Sequence, residues 1–202
     1  MRLLRLLMLF NETNPKEIRS TAIHSKLMCM QTKRKGLLDK QEGEVQTAYY
    51  SSSFGCIKIA YQGDALTEVA FVVGIEQQEA PLLSVRSALS DRAFAELEAY
   101  FAGKRKQFTL PLLPHGTAFQ QKVWNALLAI PYGQTRSYKQ IASAIGQPKA
   151  CRAVGMANNK NPLAIVIPCH RVIGSNGRMV GYASGLDRKA NLLRLEGILP
   201  KR

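Results

Sequence analysis

Closely spaced cysteines and long apolar runs are absent from this sequence of 202 residues, and each absence excludes a class of protein. The four cysteines lie far apart, at Cys29, Cys56, Cys151 and Cys169. The chain therefore has neither the disulfide framework of a small secreted domain nor the CxxC spacing of a zinc site. No run approaches the ~20 apolar residues of a membrane span. We expect reduced thiols, no metal, no membrane association and a cytoplasmic protein.

The first 45 residues differ from the rest of the chain. Residues 1–10 resemble the start of a signal peptide, but Arg5 interrupts the apolar run and no small-residue cleavage site follows. Residues 11–45 carry mixed charges and show no sustained period of 2 or 3.6. We interpret residues 1–45 as a flexible extension with a short helix at residues 3–10.

Acidic residues are scarce in one part of the chain. Residues 115–202 contain 13 Lys and Arg against 2 Asp and Glu, a net charge of +11, whereas residues 46–114 contain 6 against 7, a net charge of −1. A one-sided basic excess is the electrostatic signature of nucleic-acid binding, although binding to ribosomes or acidic membranes would give the same signature. The charge therefore predicts an anionic polymer as partner.

Residues 46–114 are predicted to form an α/β domain. Alternating apolar residues rich in Val, Phe and Tyr predict strands at residues 47–52, 55–61, 66–73 and 108–113. Ser90 is the predicted N-cap of a helix that ends at Gly103. No catalytic motif is visible in this part, and Cys56 is predicted to be a core residue.

Residues 115–202 are predicted to be mainly helical. Thr117 is the predicted cap of a first helix, Ser137 of a second at residues 138–145, and Pro148 begins a third that runs to about Ala157. The second and third helices, joined by a short turn containing glycine, predict a helix-turn-helix.

The third helix combines small residues with one large cation. Arg152 is the cation, and small side chains at Ala150, Ala153 and Ala157 would allow a close approach to the wall of a DNA groove. Tight packing of this helix against a core would use the same small residues.

A thiol stands beside an imidazole directly after the apolar residues 163–167. The sequence Pro168-Cys169-His170-Arg171-Val172 supplies the two components of nucleophilic catalysis, an oriented cysteine and a base within reach. A thiol with a pKa of ~8.5 is mostly protonated at neutral pH, so we expect a site that favours the thiolate. A cysteine that only packs in the core is the alternative.

Residues 116–200 resemble the O6-alkylguanine-DNA alkyltransferase family. The matching segments, in order, are Phe119-Gln-x-x-Val-Trp124, Ile130-Pro-Tyr-Gly-x-Thr135 with Ser137-Tyr138, Arg152-Ala-Val-Gly155, Asn161-Pro162, Ile167-Pro-Cys-His-Arg-Val-Ile173, Gly181-Tyr182 and Leu193-x-x-Glu196-Gly197. The resemblance implies a ribonuclease-H-like α/β N-terminal domain and a mainly α C-terminal winged helix-turn-helix domain. Residues 46–114 fit the family loosely, and residues 1–45 lie outside its pattern.

The resemblance also implies an activity and its catalytic residues. The alkyl group of O6-alkylguanine, and also of O4-alkylthymine, in double-stranded DNA would pass irreversibly to Cys169 in a single turnover. No cofactor is implied, and we expect a monomer. His170 would accept the thiol proton through an ordered water, oriented by Glu196, and Tyr138 would protonate the leaving guanine.

The DNA-binding residues implied by the resemblance lie on and around the third helix. This helix would enter the minor groove, whose degenerate code suits a protein that searches for lesions, and Arg152 would fill the space left by the extruded nucleotide. The other implied DNA contacts are Lys149, Ala150, Ala153, Asn158 and Lys160. The implied substrate pocket consists of Asn161, Val172, Tyr182 and Ser184. Further candidates for phosphate contact are Arg171, Arg178, Arg188 and Lys189.

Two other function classes stay open from the sequence. A non-catalytic relative that binds alkylated DNA and recruits repair factors would have another residue in place of Cys169. A cysteine hydrolase would need an oxyanion hole and an acyl-binding site, for which the basic C-terminal part gives no reason.

Overall fold

The structure, a computed structural model, describes residues 43–72 and 84–200. The chain divides into two compact units, of which the second runs from Glu44 to Arg202. The extension predicted at residues 1–45, with its helix at residues 3–10, lies outside the described residues except for its last three. We refer to residues 43–72 and 84–114 as the sheet region and to residues 115–200 as the helical region.

The sheet region begins with the predicted antiparallel meander. Strands β1 (Gln46–Ser52), β2 (Gly55–Gln62) and β3 (Ala65–Phe71) pair in chain order. Alternation along the strands places one set of side chains in the core, namely Ala48, Tyr50, Ile57, Ile59, Leu66 and Val69. A register shift between β2 and β3 brings Leu66 and Val69, which are three residues apart, to the same side. This set is apolar except for the hydroxyl of Tyr50 and lies against the main core, while Cys56 and Ala60 on β2 are buried on the other face of the sheet.

Helix α1 (Ala88–Phe101) covers the face against the main core, and its N-cap lies three residues before the predicted one. Ser87 is the N-cap, and it forms a capping box with Ser90, whose own hydroxyl is buried beside that of Tyr50. The cap predicted at Ser90 is therefore wrong: Ser90 is the third helical residue, and its side chain accepts from the backbone N–H of Ser87.

The strand predicted at residues 108–113 is wrong except for one bridge. Only Leu112 pairs with the sheet, in parallel with Leu66, through two backbone hydrogen bonds of 2.8 and 2.9 Å. Pro111 and Pro114 have no N–H to donate, so a longer ladder cannot form.

Four α-helices lie in the helical region: α2 (Ala118–Leu128), α3 (Tyr138–Ala144), α4 (Cys151–Asn159) and α5 (Leu186–Leu195). The predicted caps Thr117 and Ser137 are confirmed, each in a capping box with the glutamine three residues later. The predicted start of the third helix at Pro148 is wrong, since α4 begins at Cys151 without a side-chain cap.

The interior of the helical region is continuous with that of the sheet region. Trp124 is 1% exposed and donates from Nε1 to the carbonyl of Ala157 at 2.9 Å. Ala157 is therefore a core residue of α4 and does not face a DNA groove. Within the described ranges, every helix is too short or too polar to span a bilayer.

Two short connections fix the position of Cys169. Strand β3 forms two backbone hydrogen bonds with the segment before Cys169, from Val69 N to Pro162 O and from Ala164 N to Val69 O, both at 2.8 Å. After it, β5 (Val172–Ile173) pairs in parallel with β4 (Arg136–Ser137). The segment between them is thus held by the sheet on one side and by the helix-turn-helix on the other.

Candidate functional site

The backbone before Cys169 contains a strained residue. Ile165 has a φ of 72°, and among the described residues it is the one non-glycine with positive φ. Its neighbours close a γ-turn, from Val166 N to Ala164 O at 2.8 Å. A β-branched residue rarely adopts this conformation, which costs roughly 1–3 kcal/mol. Ile165 is 1% exposed, so its packing in the core holds the strained turn in place.

Asn161 ties this turn together. Its Nδ2 donates to Ile167 O at 2.8 Å, and its Oδ1 accepts from Leu163 N at 3.0 Å. The resemblance placed Asn161 in a substrate pocket and at the turn that leads into Cys169, and the structure gives it this bracing contact at that turn.

Cys169 is buried at the start of a 3-10 turn, Cys169–Arg171, and is 5% exposed. Burial raises the pKa of its thiol, while the hydrogen bond from Asn161 and the charge of Lys189 act in the opposite direction without cancelling it. Burial therefore opposes the thiolate that the sequence led us to expect at this site, whereas Asn161 and Lys189 favour it. The thiol is protonated at neutral pH, and a base must remove its proton during the reaction.

His170 is the base that adjoins this thiol in the chain, and it is fully buried. Burial lowers the pKa of His170 more than Glu196 raises it, so the imidazole is neutral at physiological pH. Its Nε2 lies 2.8 Å from Glu196 Oε1, and its buried Nδ1 has no partner in the protein. Because the carboxylate accepts, Nε2 carries the hydrogen and Nδ1 has the free lone pair.

Arg171 is part of this buried network and is not a phosphate contact, so that expectation is wrong. Its Nη2 lies 2.9 Å from Glu196 Oε1 and its Nε 3.0 Å from Oε2, and Nη1 donates to Ile130 O at 2.6 Å. Burial alone would raise the pKa of Glu196, but hydrogen bonds from His170 and Arg171 outweigh it and lower the pKa to about 2. Glu196 is thus ionised at every physiological pH.

Two further donors to Glu196 were not found from the sequence. Tyr100, on α1 of the sheet region, donates its hydroxyl to Oε1 at 2.6 Å, and Gly133 donates its backbone N–H to Oε2 at 3.0 Å. Tyr100 is fully buried and is separated from Glu196 by 96 residues of sequence. On the predicted helix it stands on the apolar face beside Leu97, and this position indicates burial but not a partner.

Lys189 was expected at a phosphate and is instead completely buried. Its Nζ donates to Val172 O at 2.5 Å and to Val180 O at 3.1 Å, which joins β5 to the loop before α5. Burial lowers the pKa of Lys189 to about 8, and the charge of a Cys169 thiolate would raise it. The ammonium therefore braces the loop and favours the thiolate electrostatically.

The remaining pocket residues surround this loop. Tyr138 donates its hydroxyl to Val180 O at 2.9 Å, and burial and Cys169 both raise its pKa. Burial likewise raises the pKa of Tyr182, whose buried hydroxyl has no partner in the protein. Ser184 contributes a backbone carbonyl that accepts from Arg188. Val172 was expected in the pocket, but its side chain lies in the core with 0% exposure. Its carbonyl accepts a hydrogen bond from Lys189 Nζ.

Helix α4 and the residues at its two ends present cations to solvent. Four of the residues predicted to contact DNA are exposed there, namely Lys149, Arg152, Ala153 and Lys160, and Ala150 is half-buried. Asn158 is a correction, because it is 3% exposed and its Nδ2 points to Cys169 O at 3.4 Å. Arg178 is exposed, whereas Arg188 is half-buried with its guanidinium 4.9 Å from the centre of the Phe71 ring.

Two protein families match the described regions. The family described as "6-O-methylguanine DNA methyltransferase, ribonuclease-like domain" matches residues 45–114, and that described as "6-O-methylguanine DNA methyltransferase, DNA binding domain" matches residues 118–198. The two together span the sheet region and nearly all of the helical region.

Two curated relatives have the same name, methylated-DNA–protein-cysteine methyltransferase. The protein from Methanosarcina acetivorans is 54% identical over 151 residues, which are 74% of this chain and 97% of the relative. The protein from Mycobacterium leprae is 48% identical over 146 residues, 72% of this chain and 88% of the relative.

Solved structures agree with these sequence matches. The crystal structure of Mycobacterium tuberculosis O6-methylguanine methyltransferase has a TM-score of 0.69 at 42% identity, and it covers 79% of this chain and 97% of that one. The structure described as Mycobacterium tuberculosis OGT in complex with DNA has a TM-score of 0.68 at 44% identity, over 75% and 92% of the two chains. The chain therefore belongs to the methylated-DNA–protein-cysteine methyltransferase family.

Proposed function

We propose that this chain repairs double-stranded DNA by transferring the alkyl group of O6-alkylguanine directly to Cys169. The observation that carries the proposal is a buried thiol followed directly in the chain by His170, whose Nδ1 has no partner in the protein and whose Nε2 lies 2.8 Å from Glu196 Oε1. Direct alkyl transfer from DNA to a protein cysteine is the activity of the family to which the chain belongs.

The proton is removed by the base and the alkyl carbon is attacked by sulfur. His170 Nδ1 takes the thiol proton through one water, and Glu196 stabilises the imidazolium that forms. The sulfur then forms a bond to the alkyl carbon while the bond from that carbon to O6 breaks, and its electron pair stays on the guanine. The charge of Lys189 stabilises the sulfur as its proton leaves.

The leaving guanine needs a proton, and Tyr138 is the proposed donor. Its hydroxyl lies 2.9 Å from Val180 O, so a base in the pocket must replace that carbonyl as the acceptor. Tyr182 has an unpartnered hydroxyl in the same loop and is the proposed second contact of the base. Ser184 and the loop backbone supply the remaining wall.

The product explains why the reaction occurs once per molecule. An alkylated cysteine is a thioether, which has no carbonyl for water to attack and a poor leaving group. Cys151, the other cysteine of the helical region, lies on α4, and Cys56 lies in a separate small core cluster with Val72. We propose that neither regenerates the protein, which acts as a monomer and is consumed.

DNA binding is proposed for the exposed face of α4. Lys149 and Lys160 flank the helix and contact phosphates, while Ala150 and Ala153 allow its backbone to approach the minor groove. The lesion atom cannot be reached inside the stack, so the nucleotide is extruded and Arg152 fills the space that it leaves. O4-alkylthymine, which presents an alkyl–oxygen bond in a similar position, is a second substrate.

The experiment measures repair of a duplex with one O6-methylguanine. The parent protein should convert it to guanine, Cys169→Ser should not, and Cys151→Ser should react like the parent because its sulfur is not the acceptor. Conversion by Cys169→Ser at the parental rate would contradict the proposal.

The same experiment separates the alternatives. Tight binding of the modified duplex without conversion by the parent would favour a non-catalytic binding factor. Cleavage of a fluorogenic peptide that depends on Cys169 would favour a hydrolase.

A further inference from the structure

Within the described residues, Tyr100 is the one side chain of the sheet region that hydrogen-bonds to Glu196. Tyr100 lies in the last turn of α1. The centroid of its ring is 5.5–6.1 Å from the ring centroids of Phe101, Phe108 and Tyr132. The ring thus holds the hydroxyl in one place, 2.6 Å from Glu196 Oε1 and 3.4 Å from His170 Nε2.

The hydroxyl and the imidazole share one oxygen atom. Glu196 Oε1 accepts from Tyr100 at 2.6 Å, from His170 at 2.8 Å and from Arg171 Nη2 at 2.9 Å. Arg171 already pairs with both carboxylate oxygens in a forked geometry, so loss of the tyrosine hydroxyl would not rotate the carboxylate. It would leave Oε1 with fewer donors and with more negative charge directed at His170.

We propose that Tyr100 is a positioning residue of the relay, which acts through Glu196 to set how strongly His170 holds a proton, so that the sheet region controls the base of the transfer reaction. This inference rests on the proposed function, since it assigns His170 as the base that takes the Cys169 proton. A tyrosine in this place is a fixed donor, because burial, followed by the charge of Glu196, raises its pKa far above the ordinary value.

The electrostatic surroundings of His170 support the direction of the effect. The charged and titratable groups that act on the His170–Glu196 pair are Arg171, Tyr100, Tyr132 and Lys189, and Cys169 precedes His170 in the chain. The hydrogen bond from Tyr100 is among the causes that lower the pKa of Glu196, and Arg171 and Lys189 lower that of His170. Removing the hydroxyl therefore makes Glu196 a stronger partner and raises the pKa of His170.

The test is the pH dependence of the single-turnover rate of methyl transfer. Tyr100→Phe removes one oxygen and keeps the packed ring. We expect the pH at which the rate falls on the acid side to move upward by roughly half a unit to one unit, with no fall in the rate on the high-pH plateau. A purely structural role would lower the rate at all pH values and leave the midpoint unchanged, and that result would overturn the inference.

Tyr50→Phe is the matched control. Tyr50 is also buried in the sheet region, and its hydroxyl lies 2.7 Å from a carboxylate oxygen of Asp91, at the other end of the same helix. This variant should lose stability but keep the parental midpoint. If Tyr50→Phe shifts the midpoint as much as Tyr100→Phe does, the effect is a general one of the sheet region and the inference fails.

A second variant keeps the hydroxyl of residue 100 and tests the inference in the opposite direction. Replacing Tyr100 by 3-fluorotyrosine makes the hydroxyl a stronger donor, so the midpoint should move to lower pH. No shift, or an upward shift, would contradict the role of the hydroxyl. If the parent does not take up a methyl group at all, the proposed function itself is wrong and this role falls with it.

Discussion

The sheet region and the helical region contribute to the site in very different amounts. The helical region has the strongly basic charge, the exposed face of α4 and every group proposed to touch DNA or the reacting atoms. The sheet region has almost no net charge and contributes one hydroxyl, from Tyr100. That hydroxyl nevertheless donates to Glu196, the carboxylate that we propose orients the base, so the region without proposed reacting groups contacts the site inside the core.

The two regions are joined by charge as well as by apolar contact. Glu196 is held by Tyr100 from the sheet region and by His170 and Arg171 from the helical region. One ionised side chain thus stabilises the interface and supports the base. A change at Glu196 should affect both regions, whereas a change on the face of α4 should affect only DNA repair.

The largest effect is expected for Glu196→Gln. The change leaves Arg171 buried without its counter-ion and should lower the free energy of unfolding by about 3–5 kcal/mol. The rate of methyl transfer should fall roughly 100-fold or more, because His170 loses the charge that stabilises its protonated form. Denaturant unfolding can follow the single tryptophan, Trp124, for the helical region, and amide exchange of β1 to β3 can follow the sheet region.

Both regions should become less stable together in this variant. Loss of protection in the helical region alone, with the amides of β2 unchanged, would show that Glu196 does not join the two regions.

The second expected effect is acid destabilisation of the parent. Glu196 has a folded pKa of about 2 against an ordinary value of 4.5, so its contribution is fully present above pH 4.5 and is lost as the pH falls through 2. The difference corresponds to about 3 kcal/mol at most. Thermal unfolding at a series of pH values should show this loss in the parent and not in Glu196→Gln. Equal acid sensitivity of the two proteins would contradict the assignment.

The third effect is confined to the helical region. Arg152→Ala should slow the repair of duplex DNA roughly tenfold to 100-fold, yet change transfer from free O6-methylguanine base little, because the side chain acts on extrusion. The unfolding free energy should stay within about 0.5 kcal/mol of the parent, since Arg152 is exposed. An equal loss of rate on both substrates would contradict the proposed role.

The smallest effect is expected for removal of the first residues. The second compact unit begins at Glu44, and β1 begins at Gln46. A chain that starts at Val45 should therefore unfold at the same temperature and repair at the same rate as the full chain. A large fall in the unfolding temperature would show that the first residues contact the unit that follows them.

The sequence predicted local structure well where the signal is local. The meander at β1 to β3 and the caps Thr117 and Ser137 depend on neighbouring residues, and they are confirmed. The predicted start of α4 and the predicted strand at residues 108–113 were wrong, because a proline is compatible with more than one local structure.

The sequence could not predict partners that are distant along the chain. Arg171 and Lys189 were assigned to phosphates because their charge is visible in the sequence and their burial is not. Arg171 is separated from Glu196 by 25 residues and Tyr100 by 96, and no periodicity links such positions. The resemblance identified Cys169, His170 and Glu196, whereas the contacts of Arg171, Lys189 and Tyr100 with them are visible only in the folded structure.

Intact-mass measurement combined with peptide mapping tests the central claim most directly. The protein is incubated with an excess of duplex that contains one O6-methylguanine per molecule. The account predicts that each protein gains one methyl group, that the product stops increasing at one equivalent, and that the methyl lies on the peptide with Cys169. Product that exceeds the protein severalfold, or a methyl group found mainly on Cys56 or Cys151, would contradict it.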